Sequence, residues 1–143
     1  MGVVGGAGHV GLPLGIVLAD AGFEVTLIDK DETKLETIRS GTLPYRESGG
    51  EELFSEVLEA DRLSTTTDLE RVRDCSAIFV VVGTPIDEHH NPQMDPLLSL
   101  VDELVEYLSP GQLVSFRSTL YPRTTTNVRG RLTNAGFEVG DDI

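Results

Sequence analysis

Cysteine is almost missing from this 143-residue chain. Cys75 stands alone, which excludes an intramolecular disulfide framework, and with no export signal in view the expected location is cytoplasmic. Lysine is nearly as scarce, with Lys30 and Lys34 set against nine arginines. The 24 carboxylates outnumber all basic residues and leave a net charge of −13. Such a surface repels nucleic acid and anionic membranes, so neither is expected as a partner. The acids are scattered, which describes a solvated surface, and the acid-rich, lysine-poor balance resembles that of halophile-like proteins adapted to high salt.

Formal charge is absent altogether from Met1 to Ala19, a stretch with the hydropathy of a leader or membrane span. It has no basic start, contains six glycines and a proline, and passes from a strand-like to a helix-like pattern. It therefore reads as folded structure. Gly6 stands where a myristoylation signal needs Ser or Thr. Low-complexity linkers and internal repeats are missing too, beyond two mononucleotide-like halves. With 39% hydrophobic residues and a mean hydropathy of −0.05, residues 1–143 suit one soluble domain with a full core and are too few for two.

The informative presence is Gly6-Ala7-Gly8-His9-Val10-Gly11, preceded by apolar Val3-Val4 and followed by a helix-like run from Leu12 to Ala19. Asp29 ends a second apolar run, Val25 to Ile28, eighteen residues past Gly11. This strand–turn–helix–strand–acid order is that of a dinucleotide site. Gly6 permits the tight turn, Gly8 lets backbone approach a pyrophosphate, and Gly11 lets the helix pack closely. The helix N-terminus offers N–H groups and the positive end of its dipole. A carboxylate at Asp29 accepts from ribose hydroxyls and repels a 2′-phosphate, which favours NAD over NADP. Lys30 and Lys34 lie near enough to complicate that choice, and Asp31 is better placed than Asp29 to cap the next helix.

Alternating patterns predict an α/β fold, a Rossmann-type doubly wound parallel sheet of about six strands with helices on both faces. Strands are expected near 2–5, 24–29, 62–65, 77–82 and 112–117, with a last one beginning near 137. Helices are expected near 9–21, 31–40, 50–60, 67–74, 95–109 and 124–135. Gly22, Gly41 and Gly136 sit where helices end, Pro13 lies in a first turn, and Asp68 and Asp95 suit caps or first turns. The fourth and fifth strands deliver Gly83-Thr84-Pro85 and Ser118-Thr119 to the carboxyl edge, where ligands of open sheets bind.

Together these segments resemble the UDP-glucose/GDP-mannose dehydrogenase family. The resemblance runs through Gly6 to Pro13, Gly41 to Tyr45, Glu51 to Leu53, Gly83 to Asp87, Asp95 and Arg117 to Thr125. The wording Gly83 to Glu88 and Arg117 to Pro122 is most similar to the UDP-N-acetylmannosamine dehydrogenase branch. It implies oxidation of a UDP-sugar C6 alcohol to the carboxylate with two NAD⁺, through a thiohemiacetal and thioester on a cysteine of a later domain. It implies NAD contacts at Val10, Asp29, Lys34, Thr84 and Thr119, and the candidate cofactor-binding set also takes in Gly6, Gly8, His9, Gly11, Lys30, Gly83, Pro85 and Ser118. Thr119 resembles the threonine that also places the hydrolytic water, the one catalytic role expected here. His9 departs from the tyrosine common in the family, and Glu47-Ser48-Gly49 departs from its Glu-Pro-Gly.

The resemblance further implies that the catalytic cysteine and lysine, the dimerisation helices and the UDP-binding domain lie beyond residue 143. The chain is expected to be the NAD-binding part of a longer, homodimeric enzyme and to be inactive by itself. UDP-glucose 6-dehydrogenase, a freestanding NAD(H)-sensing module, and another NAD(P)-dependent oxidoreductase sharing only the turn stand as alternatives. Cys75 precedes the fourth strand, at the amino edge, and reads as a structural or surface thiol. Asp87, Glu88, His89, His90 and Asp95 lack metal-ligand spacing and read as a solvated loop, so no metal is expected. Asp102, Glu103 and Glu106 read as the wet face of an amphipathic helix.

Overall fold

Val3 and Val4 are buried on every side, because the strand they form, β1 (Gly2–Val4), is the centre of the sheet. A computed structural model describes residues 1–45, 49–83 and 95–143. β1 pairs in parallel with β2 (Val25–Ile28) through Val4↔Ile28 and with β4 (Ala77–Val80) through Val4↔Val80. β3 (Leu63–Thr66) extends the sheet beyond β2, and β5 (Leu113–Phe116) beyond β4. The order is β3-β2-β1-β4-β5, all parallel. The chain winds outward from β1 in one direction and then returns to wind in the other. The switch point falls between β1 and β4, where such sheets open a crevice at their carboxyl ends.

Helices α1 (Gly11–Asp20), α2 (Glu32–Arg39) and α3 (Gly50–Glu59) accompany the first half. Leu12, Ile16, Leu35, Ile38, Phe54 and Val57 close over Val3, Val25 and Leu27 to form one core layer. α4 (Asp95–Val105) covers the opposite face, where Leu97, Leu100 and Leu104 meet Val4, Ile28, Ile78 and Val80. α5 (Thr124–Asn134) packs on α4 through Val101, Val128 and Leu132. Burial of the β2 and β4 side chains on both faces explains why their sequences are nearly continuous apolar runs.

Local chemistry sets the ends. The Asp31 carboxylate accepts from the Lys34 backbone N–H at 3.1 Å and starts α2. α1, α2 and α5 finish alike, with Gly22, Gly41 and Gly136 at positive φ. The next N–H then reaches back, from Phe23 to Leu18, Thr42 to Thr37 and Phe137 to Leu132. α3 uses the same closure with Asp61 at φ 54° and Arg62 N–H donating to Val57 O.

Three expectations need amendment. The described sheet has five strands, and the segment beginning near 137 adds none. Its polar backbone closes on itself, Asp141 and Asp142 N–H donating to Glu138 O and Gly140 N–H to Ile143 O. Phe137 and Val139 instead pack against the cluster between α4 and α5. The helix near 67–74 is a 3-10 helix, Leu69–Asp74, capped by the Asp68 carboxylate on Glu70 N–H. α4 stops at Val105, where Glu106 and Tyr107 tighten onto i−3 carbonyls.

Candidate dinucleotide site

α1 differs from its neighbours at its start. Val10, at the N-cap, makes no side-chain hydrogen bond, and no acid occupies the first turn. No aspartate caps this start as Asp31 and Asp68 cap α2 and the 3-10 helix, and the Leu12 N–H donates instead to Gly8 O at 3.0 Å. Pro13 falls in that first turn, where a missing N–H costs nothing.

The glycines ahead of α1 are tightly packed. A Cβ on Gly6 would stand 2.8 Å from Leu27 Cβ and from the Val3 carbonyl, and one on Gly11 would run into the Gly5 carbonyl. A Cβ on Gly8 meets only that carbonyl, at 3.3 Å, because Gly8 borders open space. Gly5, outside the six-residue fingerprint, proves as constrained as any: φ is +83° and its N–H donates to Ile28 O at 2.8 Å. Gly15 belongs with them, since a Cβ there would touch Leu27 Cδ2.

Asp29 sits just past β2 and reaches across to this turn. Its Oδ2 accepts from Ala7 N–H at 2.9 Å and its Oδ1 from Asp31 N–H at 3.0 Å. Each oxygen retains a lone pair for a further donor. Asp31, as expected, is the helix cap, and it also pairs with Lys34 Nζ at 2.9 Å. The Lys34 hydrogen bond lowers the Asp31 pKa, and the Asp31 carboxylate raises that of Lys34. Lys34 is thus held at the start of α2. Lys30 is exposed and lies 3.8 Å from Glu103 of α4.

A cleft of about 390 Å³ opens beside the turn, and it gathers Gly8, Asp29, Lys30 and Gly83. Its apolar walls include Ile28, Leu69, Val82 and Leu100. Glu103, read from sequence as plain solvated surface, stands at this cleft as well. Gly6, His9, Val10, Gly11, Lys34, Ser118 and Thr119 do not line it. His9 and Val10 are exposed. The Ser118 hydroxyl donates to Val82 O at 2.5 Å, tying the tips of β5 and β4 together, and Thr119 follows, exposed. Thr84, Pro85, Asp87, Glu88, His89, His90, Glu47 and Ser48 lie outside the described residues.

Sequence reasoning missed the part played by Tyr45. Its hydroxyl donates to Gly8 O at 2.6 Å, and its ring lies 4.0 Å from that of His9, tilted by 38°. No local spacing links residues this far apart in sequence, so only the fold reveals the pair. Cys75 is buried beneath the amino edge, its Sγ against Arg71 O at 3.6 Å, and burial raises its pKa. Among the described residues no helix is long and apolar enough to cross a membrane.

Switch-point cleft, uncapped α1 and acid-tipped β2 define a Rossmann-type dinucleotide-binding domain. Residues 1–141 match the model of the UDP-glucose/GDP-mannose dehydrogenase family, NAD binding domain, and the chain belongs to that family. It is 32% identical over 133 residues to the UDP-glucose 6-dehydrogenase of Rickettsia felis, covering 92% of this chain and 30% of that protein. With the UDP-N-acetyl-D-glucosamine 6-dehydrogenase of Pseudomonas aeruginosa it shares 34% identity over 122 residues, covering 84% and 27%. The UDP-N-acetyl-mannosamine dehydrogenase of Staphylococcus aureus superposes with a TM-score of 0.89 at 27% identity, over 99% of this chain and 34% of that one. The chain therefore spans about a third of the length of these relatives. Its cofactor is NAD.

Proposed function

We propose that this domain serves a nucleotide-sugar 6-dehydrogenase, with UDP-N-acetylmannosamine as the first candidate substrate and UDP-glucose as the second. The observation that carries the cofactor half is the Asp29 carboxylate bonded at 2.9 Å to the glycine turn, beside the uncapped start of α1. The N–H groups of that helix hold the pyrophosphate, the space over Gly8 admits it, and Asp29 accepts from the ribose hydroxyls. Bound there, NAD⁺ supplies the hydride acceptor. Ser118 fixes the β5 tip against β4 and so positions Thr119, whose hydroxyl orients the water that enters the product.

The UDP-sugar preference rests on relatives named for UDP-sugars and on the wording of the Gly83 and Arg117 segments. Over the full reaction the C6 alcohol gives up two hydrides and takes in one water, ending as a carboxylate. The groups that choose the sugar, and the dimer interface, belong to further domains of a cytoplasmic protein. The test is a longer protein carrying this domain, incubated with NAD⁺ and a panel of UDP-sugars. Two NADH per UDP-N-acetylmannosamine, or per UDP-glucose, supports the reading. Binding of NAD⁺ with turnover of no UDP-sugar would replace it with a sensing module.

A further inference from the structure

We infer that Tyr45 is a positioning residue for the pyrophosphate, acting through the Gly8–His9 peptide. The inference rests on the NAD site proposed above and assigns a part to a residue outside the glycine fingerprint. The Gly8 carbonyl accepts twice, from Leu12 N–H at 3.0 Å and from the Tyr45 hydroxyl at 2.6 Å. The first bond closes the opening turn of α1, so this carbonyl points along the helix toward its C-terminus. All described peptides are trans, and a trans peptide is planar with its N–H opposed to its C=O. The His9 N–H therefore points back out of the helix start, to the side where an anion binds.

A turn rich in glycine is conformationally permissive, and the Gly8–His9 peptide is its most open link, because a Cβ at Gly8 would meet only Gly5 O. Tyr45 restrains that link from outside. Its ring is half-buried against the core layer under α1 and α3, so the hydroxyl is held by packing and not by the turn itself. The same ring lies against His9, which fixes the second residue of the peptide. Pre-orienting a donor before the ligand arrives lowers the ordering cost of binding.

The test compares Tyr45→Phe with the unaltered chain by calorimetric titration of NAD⁺, ADP and adenosine. The variant keeps the ring over His9 and loses only the hydroxyl. Affinity for NAD⁺ and ADP should fall roughly 2- to 10-fold, the size of one hydrogen bond, while adenosine binding stays unchanged. Tyr45→Leu, which removes the ring as well, should fall at least as far for NAD⁺. Equal losses for adenosine and NAD⁺ would mark Tyr45 as merely structural and overturn the inference, as would an unchanged NAD⁺ affinity in Tyr45→Phe. Failure of the unaltered chain to bind NAD⁺ is a separate result, and it would bring down the proposed site itself.

Discussion

At the scale of single residues, the two glycines flanking His9 and Val10 separate folding from binding. A methyl on Gly11 has no room, because the Gly5 carbonyl and Gly6 Cα occupy its place, so Gly11→Ala should cost about 1–3 kcal/mol of stability. A methyl on Gly8 meets only Gly5 O, at 3.3 Å, a tight contact that asks that carbonyl to give by a few tenths of an ångström, so Gly8→Ala should lower the thermal midpoint less than Gly11→Ala. It takes the space the pyrophosphate needs, so NAD⁺ affinity should fall by an order of magnitude or more while the fold persists. Thermal melts paired with NAD⁺ titrations of both variants check this. Cys75 gives a pH prediction. Burial raises its pKa, so the native state favours the neutral thiol. Its contribution is complete below pH 9.0, the ordinary value, and is lost as pH rises through the elevated one. Urea melts between pH 7 and 10.5 should show stability falling more steeply for the unaltered chain than for Cys75→Ala. Parallel slopes would contradict it.

At the scale of elements, Gln112 shows how a buried polar group fastens two pieces of structure. Its Nε2 donates to Val72 O and Cys75 O, and its Oε1 accepts from Ser109 N–H, joining the 3-10 segment to the entrance of β5. Gln112→Ala leaves three backbone groups without these partners and should cost about 2–4 kcal/mol, read as a drop in urea midpoint. Nothing in the sequence announced this, since a glutamine before a strand has the look of a surface residue. What was legible had a period or a cap. β1, β2 and β4 showed as apolar runs because both faces of the sheet are covered, and α2 showed through Asp31. The glycine turn and Asp29 were legible as a fingerprint, and the fold joins them by a direct hydrogen bond. The strand expected near 137 misled because Phe137 and Val139 are apolar at strand spacing, yet they serve the α4–α5 cluster. Tyr45 and Glu103 were illegible as site residues because tertiary structure alone brings them to the turn and the cleft.

At the scale of the whole molecule, a net charge of −13 on 143 residues means self-repulsion that folding has to overcome. The ion pairs formed among the described residues, such as Arg39–Glu32 and Arg71–Asp74, are exposed and individually worth little. Screening by salt should therefore stabilise the native state, as in a halophile-like protein. Thermal melts in 0.1 M and in molar KCl should separate clearly, and a flat response would exclude salt adaptation. The whole chain also makes one decision that its parts make jointly, which is the choice of dinucleotide. Titration calorimetry with NAD⁺ and NADP⁺, on the unaltered chain and on Asp29→Ala, tests it most directly. The account predicts tighter binding of NAD⁺, and a loss of roughly 10- to 100-fold for NAD⁺ in the variant, as removal of charge-assisted hydrogen bonds to the ribose requires. Equal affinity for the two dinucleotides, or an Asp29→Ala protein that binds NAD⁺ as before, would contradict it.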